Sequence, residues 1–296
     1  GDDYYYVDAN GVMVANRWVS IVNEEDEDDT PENYWYYFQS NGKAYKAPES
    51  GKVQLKTING KKYAFDQDGR MLYGWVAADS AERITSDDGW NAAADMYYFG
   101  DENDGSMATN WQKLTVYDDG EEDDMDYWFY FKSNGKKFFN EKDDKDFDTK
   151  KINGKTYLFD EDGKMQYGWQ EVDGFGYYFG DEDDGARTEG RWLWLEKSGL
   201  LDEDEDDQDK VLDCDDSDTD PCDDEGWYWF QSSGKVYNGK DKKKINGKWY
   251  LFNEHGQMLY EWINSNTVNK PGSNAQLDGN DKKGASVSEM LYYNVV

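Results

Sequence analysis

The stretch INGKTYLFDEDGKMQYGW, residues 152–169, decides the fold. Tyr157-Leu158-Phe159 belongs to a short strand in which aromatic residues alternate with others. The Asp-Gly turn that follows contains a glycine, which supplies the positive φ that a tight hairpin turn needs. Met165, Tyr167 and Trp169 then share one face of a second strand. The stretch therefore predicts a β-hairpin with one aromatic face.

This hairpin is one of three types that recur along the chain. Its own type returns as INGKKYAFDQDGRMLYGW (58–75) and INGKWYLFNEHGQMLYEW (245–262). A second type precedes each copy, as YWYYFQSNGKAY (34–45), YWFYFKSNGKKF (127–138) and GWYWFQSSGKVY (226–237). A third type follows, as DMYYFGDENDGSMATNW (95–111) and FGYYFGDEDDGARTEGRW (175–192). One hairpin cannot bury its aromatic face alone, so each must stack on the next.

We therefore predict an all-β fold, an elongated β-hairpin solenoid of about nine or ten aromatic-rich repeats. The chain forms a single repeat array, residues 1–296, which we divide into a partial unit, two three-hairpin units and a third, incomplete unit. Their bounds are 1–33, 34–125, 126–225 and 226–296. The second three-hairpin unit carries an acidic, cysteine-containing insertion. Only Asp79–Ala94 shows a weak helical pattern.

Charge and composition exclude several classes of partner. The sequence has 32 Lys and Arg against 65 Asp and Glu, a net charge of −33. Nucleic acids and anionic membranes are polyanions, so neither is an expected partner. No apolar run approaches the roughly 18 residues that would span a bilayer, which excludes membrane insertion. No signal peptide precedes the first hairpin, and we expect a mature chain or a fragment.

The repeated pattern resembles the cell-wall-binding repeats of Gram-positive surface proteins. It combines an aromatic triplet, a turn glycine and then Met-x-x-Gly-Trp, as in residues 157–169. Such repeats occur in choline-binding proteins, in glucan-binding domains of glucosyltransferases and in the receptor-binding ends of large clostridial toxins. The resemblance implies a secreted, non-catalytic module that attaches a protein to the bacterial surface. It also implies choline of cell-wall teichoic acid, or a glycan, as the partner.

The resemblance further implies aromatic cages between repeats. In choline-binding members, two tryptophans of consecutive hairpins and a ring of the next repeat surround the ligand. The corresponding pairs are Trp18 with Trp35, Trp111 with Trp128, and Trp192 with Trp227. The junctions after Trp75, Trp169 and Trp262 lack the second tryptophan. The alternative is that all of these rings are core.

Acidic runs lie between the two tryptophans of each pair. They are Glu24–Asp29, Asp118–Asp124, and Asp202–Asp207 continuing to Glu225. Carboxylates beside an aromatic cage would favour a quaternary ammonium ligand. Each ring contributes about 0.5–2 kcal/mol to a caged cation, so three rings predict roughly millimolar binding. The alternative is that these runs are solvated insertions.

The third acidic run contains two further candidate features. Cys214 and Cys222 are the only cysteines, and we expect a local disulfide in an oxidising, extracellular setting. Two free thiols are the alternative. Asp213, Asp215, Ser217 and Asp224 are weak calcium candidates, because they follow part of an EF-hand spacing. The glycine and glutamate that such a loop needs at positions six and twelve are absent. No other cofactor is expected.

Catalysis has little support in the sequence. The single histidine, His255, falls in a hairpin turn, which leaves no pair of the Ser/His or Cys/His kind. We therefore predict a binding module and no enzyme. Besides choline-like groups, two other functions remain open: binding of a glucan or host glycan on exposed rings, and a structural stalk without a ligand.

Overall fold

The chain forms short antiparallel strands in two compact units. The computed structural model describes residues 2–25, 28–85, 87–141, 148–198, 222–239, 241–264 and 290–293, and every structural statement below concerns these residues. Unit 1 comprises residues 1–148 and 159–165, and unit 2 comprises residues 149–158 and 166–296.

Hairpins follow one another along the chain, and almost all pairing is between consecutive strands. The paired strands are β1 (Arg17–Val22) with β2 (Asn33–Phe38), β3 (Lys56–Ile58) with β4 (Lys61–Tyr63), β5 (Trp75–Ala77) with β6 (Met96–Tyr98), β7 (Asn110–Asp118) with β8 (Asp123–Phe131), β9 (Asp148–Ile152) with β10 (Lys155–Phe159) and β10 with β11 (Met165–Gln166), β12 (Trp169–Val172) with β13 (Phe175–Tyr178), β14 (Arg191–Glu196) with β15 (Glu225–Phe230), β16 (Lys243–Ile245) with β17 (Lys248–Tyr250), and β18 (Glu261–Asn264) with β19 (Met290–Tyr293).

The Asn-Gly dipeptides set the tightest turns. Between β3 and β4, Asn59 has φ 50° and Gly60 has φ 84°. Two successive residues with positive φ define a type I′ turn, whose twist matches that of the flanking strands. The same pair of angles recurs at residues 153–154 and 246–247. The INGK motif is therefore a hairpin turn, as the sequence predicts.

Backbone hydrogen bonds join each hairpin to the one before it. In unit 1 the Met71 N–H donates to the Trp35 carbonyl at 2.8 Å. In unit 2 the Met258 N–H donates to the Trp227 carbonyl, also at 2.8 Å. The segment after each turn therefore adds to the preceding hairpin. This repeated addition brings the aromatic faces of consecutive hairpins together.

Buried aromatic rings, most of them phenylalanines, are the largest side chains of the core. Those less than 2% exposed are Phe65, Phe99, Phe129, Phe131 and Phe159 in unit 1, and Phe179, Tyr228, Phe230 and Phe252 in unit 2. Around them pack half-buried tryptophans and tyrosines. The predicted all-β hairpin solenoid is confirmed.

The weak helical pattern at Asp79–Ala94 does not produce an α-helix. Among the described residues of this stretch, one 3₁₀ turn forms at Asp87–Trp90. It lies in the segment between β5 and β6, where Trp90 is anchored in the core. In the part of the chain covered by the structure, no helix is long and apolar enough to cross a membrane.

Candidate functional site

The first tryptophan pair lies in one aromatic cluster of unit 1. Trp18 packs edge-on against Tyr63, with ring centroids 4.9 Å apart, and stacks on Phe65 at 5.8 Å. Trp35 and Tyr63 pack on the same buried group, which includes Phe65 and Met71. We call these five residues the first aromatic cluster. Its residues come from β1, β2, β4 and the segment that follows β4. Only the folded repeat therefore brings them together.

Unit 2 repeats this geometry in what we call the third aromatic cluster. Trp192 packs edge-on against Tyr250 at 4.8 Å and stacks on Phe252 at 5.7 Å. Trp227 packs on the same group, which again includes a buried methionine, Met258. The centroid distances agree with the first cluster to within 0.1 Å. The two clusters are therefore copies of one arrangement.

The pair Trp111 and Trp128 defines a second aromatic cluster in unit 1. Their rings meet edge-on at 6.3 Å, and Trp111 stacks on Phe159 at 5.7 Å. Trp111 also contacts its cross-strand neighbour Tyr130 at 5.3 Å. The distance to the stacked phenylalanine matches those of the other two clusters. All three predicted tryptophan pairs therefore occupy corresponding positions.

The tryptophans of these clusters are neither fully buried nor free in solvent. All six predicted residues are half-buried, whereas the phenylalanines beneath them are inaccessible. Trp75 and Trp169 are half-buried too, so partial exposure alone does not set the clusters apart. The clusters differ in having a second tryptophan, and several rings grouped together attract cations.

The structure adds residues that the sequence reasoning did not name. Tyr63 and Tyr250 supply the third ring, and Met71 and Met258 lie beneath it. A signal was present in the sequence, because a tyrosine and a methionine recur at fixed places in all three INGK hairpins. Sequence alone identifies them only as strand residues. Their role depends on contact with the preceding hairpin.

The residue opposite the second tryptophan differs among the three clusters. Cross-strand pairing places Ser20 opposite Trp35, Lys113 opposite Trp128 and Trp194 opposite Trp227. Directly opposite residues project from the same face of an antiparallel pair. The first cluster thus has a neutral neighbour and the second a cation. The third has another ring, since Trp194 and Trp227 meet at 5.6 Å.

The second acidic run does not lie beside its tryptophans as the sequence suggested. Asp118 and Asp123 close the turn of the β7–β8 hairpin, whereas Trp111 pairs near its open end. Along the strands, seven positions separate Trp111 from Asp118 and four separate Trp128 from Asp124, or about 23 Å and about 13 Å. Both distances exceed the screening length at physiological salt, which is about 8 Å. The long hairpin therefore carries its carboxylates away from the cluster.

Asp118 instead takes part in a local network. Its carboxylate accepts a hydrogen bond from the Tyr127 hydroxyl at 2.7 Å and pairs with Lys164 at 3.4 Å. The tyrosine hydrogen bond is the main reason that the pKa of Asp118 lies below its usual range. The first run is also tied locally, because Arg70 Nη2 lies 3.0 Å from Glu25 Oε1.

The junctions predicted to lack a second tryptophan do lack it in the strand pairing. In the first cluster, Trp35 lies two residues before the strand partner of Trp18. The corresponding residue is the buried Met96 at the Trp75 junction and Gly176 at the Trp169 junction. Trp75 and Trp169 still contact rings of the next hairpin. Their nearest contacts there are Phe129 at 5.3 Å and Tyr228 at 4.7 Å.

Several predicted features lie outside the described residues. They are Cys214 of the expected disulfide, Asp213, Asp215 and Ser217 of the weak calcium site, and Asp202–Asp207 of the third acidic run. The disulfide with Cys222 and the calcium site with Asp224 stay predictions. Over the residues that are described, no cluster of His, Cys, Asp or Glu is arranged to hold a metal ion. His255 does lie in its predicted hairpin turn, where its N–H donates to Asn253 Oδ1.

Family models match some of the segments that contribute to these clusters. A choline-binding repeat matches residues 148–192, and a cell-wall-binding repeat model matches residues 32–44, 121–137 and 243–258. The matched segments include β2, β8 and the second and third INGK hairpins, which contribute rings to the clusters. The chain therefore contains repeats similar to those of cell-wall-binding proteins, over about a third of its length. This confirms the resemblance inferred from the repeated motif.

Individual relatives share the repeats at low identity. Glucosyltransferase-S of Streptococcus mutans serotype c is 28% identical over 221 residues, which cover 68% of this chain but only 13% of that protein. CbpJ of Streptococcus pneumoniae superimposes with a TM-score of 0.52 at 20% identity, over 99% of this chain and 82% of CbpJ. Choline-binding protein F of the same species gives a TM-score of 0.49 at 21% identity, over 88% and 78% of the two chains. The likeness to CbpJ supports the hairpin-repeat fold.

Proposed function

We propose that this cell-wall-binding repeat chain binds quaternary ammonium groups, such as the choline of cell-wall teichoic acid, in its aromatic clusters. One observation carries the proposal: the same half-buried arrangement of two tryptophans and a tyrosine over a methionine occurs in the first and third clusters. The second cluster is a further site of this kind.

The chemistry of the clusters suits a cation without N–H groups. A trimethylammonium group has no hydrogen-bond donor and a diffuse positive charge, so aromatic faces are its best partners. Each ring contributes about 0.5–2 kcal/mol, so a cluster of three rings supports millimolar affinity. Several such sites on one chain raise the avidity for a polymer that carries many choline groups.

A titration of tryptophan fluorescence with choline tests the third cluster. We expect a saturable change in the millimolar range that is reduced in Trp227→Ala. The matched control is Trp249→Ala, because Trp249 is 55% exposed and lies outside the cluster. A similar loss in both variants, or an unchanged response in Trp227→Ala, would contradict the proposal.

Exposed rings favour glycan binding as a second candidate function. Trp194 and Trp249 are 51% and 55% exposed. The Trp194 indole N–H donates to Glu225 Oε2 at 3.0 Å, which places a carboxylate at the edge of a flat ring. Sugar sites commonly combine a ring face with such a polar group.

Titration with an α-glucan in place of choline distinguishes the two functions. If neither ligand binds, the result favours a structural stalk.

We further infer that the module works by binding, as an anchor for a secreted protein at the bacterial surface. The matched family models describe binding repeats. The tryptophans with a candidate role are repeated along the chain, whereas a catalytic centre needs one unique constellation. Fractionation of cells that make the full protein tests the location: we expect it in the cell-wall fraction, from which excess choline releases it.

A further inference from the structure

Lys137 occupies a position that belongs to the core in the equivalent hairpins. Its backbone N–H donates to the Met96 carbonyl at 2.8 Å, and it bridges Phe131. Ala44 and Val236 make the corresponding bridges in the first and third copies of the same hairpin. Both are buried apolar residues. Lys137 therefore places a charged side chain at a position that is apolar in the other two copies.

The Lys137 side chain is buried among rings. The residue is only 1% exposed. Its ammonium lies 5.6 Å from the centroid of the Trp75 ring and 5.9 Å from that of Phe129. Nζ also donates a hydrogen bond to the Trp90 carbonyl at 2.7 Å. The side chain thus places a cation against aromatic rings at the Trp75 junction.

Trp90 is supplied by a segment that the Trp169 junction lacks. β5 ends at Ala77 and β6 begins at Met96, whereas only residues 173 and 174 separate β12 from β13. The extra segment inserts Trp90, which is 3% exposed and whose indole N–H donates to the Tyr117 carbonyl at 2.8 Å. The Trp169 junction, with its short turn, has Val236 in place of the lysine. The lysine and its carbonyl acceptor therefore occur together.

The charge of Lys137 is retained at neutral pH. Burial lowers the pKa of its ammonium to about 8, an effect that Asp162 and Asp160 oppose. A buried lysine without a hydrogen bond and facing rings would lose its proton at much lower pH. The carbonyl of Trp90 and the faces of two rings stabilise the charged form.

We propose that the Trp75 junction is an ammonium site that the chain fills with its own Lys137. Trp75, Phe129 and the Trp90 carbonyl form the site, and the class of ligand that fits it is a primary alkylammonium. A quaternary ammonium does not fit, because it has no N–H for the carbonyl. The lysine therefore excludes external ligands from this junction. The proposal does not depend on choline binding at the three clusters.

The test adds a small cation to a variant that lacks the lysine side chain. Lys137→Ala removes three carbons and the ammonium group, which together correspond to n-propylammonium. We expect this cation at millimolar concentration to raise the melting temperature of Lys137→Ala by about 3 °C. Wild type and Val236→Ala should not respond, because the first is filled and the second lacks the carbonyl acceptor. Neutral 1-propanol and propyltrimethylammonium should not raise the melting temperature of Lys137→Ala. An equal rise with either, or no rise with n-propylammonium, would overturn the proposal.

A measurement on the unmodified chain covers the case in which Lys137→Ala does not fold. We expect the Lys137 side-chain protons to show strong upfield ring-current shifts in NMR spectra at neutral pH. The ammonium protons should exchange slowly enough with water to be observed. Lysines on the surface, such as Lys52, provide the reference. Side-chain shifts for Lys137 that match the reference would overturn the proposal.

Discussion

At the scale of single residues, the turn aspartates of two INGK hairpins make stability depend on pH. The third INGK hairpin has an asparagine in their place. Asp66 Oδ1 accepts N–H bonds from residues 68 and 70 at 2.9 and 2.8 Å. Asp160 holds the same turn in the next INGK hairpin, and Asn253 holds it in the last. Burial raises the pKa of Asp66 and of Asp160 from 3.8 to about 6. The asparagine provides the same acceptor without a charge.

Asp66→Asn should therefore stabilise the chain at high pH and not at low pH. The folded state binds more protons than the unfolded state between about pH 4 and 6, so wild-type stability falls as the pH rises through this window. A shift of this size corresponds to at most about 3 kcal/mol. We expect denaturant unfolding to show Asp66→Asn more stable than wild type at pH 8 and equal to it near pH 4. The reverse change, Asn253→Asp, is the control and should lower stability at pH 8 only. A loss of stability in Asp66→Asn that is the same at both pH values would contradict this reasoning.

Residue identity predicted the tryptophans of the clusters but not all of their partners. The pairs Trp18–Trp35 and Trp192–Trp227 follow from the order of motifs along the chain. Tyr63 and Tyr250 do not, because their role requires contact with a preceding hairpin. Lys137 was the least predictable residue, because its partner Trp90 comes from a segment that has no counterpart at the Trp169 junction.

At the scale of the hairpin, the residue opposite the second tryptophan should set the strength of each cluster. Ser20, Lys113 and Trp194 differ in charge and in ring content at one register position. A cation about 6 Å from a bound ammonium costs roughly 0.7 kcal/mol in water-like surroundings. An extra ring adds a favourable contact of similar size. We therefore expect choline affinity to fall from the third cluster to the first and then to the second.

Lys113→Ser tests this ranking in the second cluster. Removing the like charge should raise choline affinity there by roughly threefold. Shifts of the Trp111 and Trp128 indole N–H signals in NMR titrations report this cluster separately from the others. Lys52→Ser is the matched control, because it removes one charge from an exposed position on another hairpin. An affinity that is unchanged in Lys113→Ser, or raised equally in both variants, would contradict the ranking.

Hairpin geometry also explains why the second acidic run lies farther from its tryptophans than their closeness in sequence predicts. The run at 118–124 is close in sequence to both Trp111 and Trp128, which suggested proximity in space. Two nine-residue strands instead carry it to the far end of the hairpin. The length of the strands decides whether a turn lies beside a cluster. The sequence pattern does not define this length, because polar residues such as Thr115 and Asp126 continue the strands.

At the scale of the whole molecule, fold class followed from repetition. Three gapless copies of the INGK hairpin predicted an all-β repeat, and the family matches and the likeness to CbpJ agree with it. The acidic composition fits a thin fold in which carboxylates stay solvated while rings fill a narrow core. What repetition does not predict is the difference between junctions, because those differences arise from single substitutions and insertions.

Calorimetric titration of the intact chain with choline, next to 3,3-dimethyl-1-butanol, tests the central claim most directly. The second compound has the shape of choline with a carbon in place of the charged nitrogen. We expect choline to bind with millimolar affinity at more than one site per chain, and the neutral compound to bind at none. Equal binding of the two would contradict a cation site formed by aromatic rings, and no heat from choline would leave the rings of these clusters as core alone.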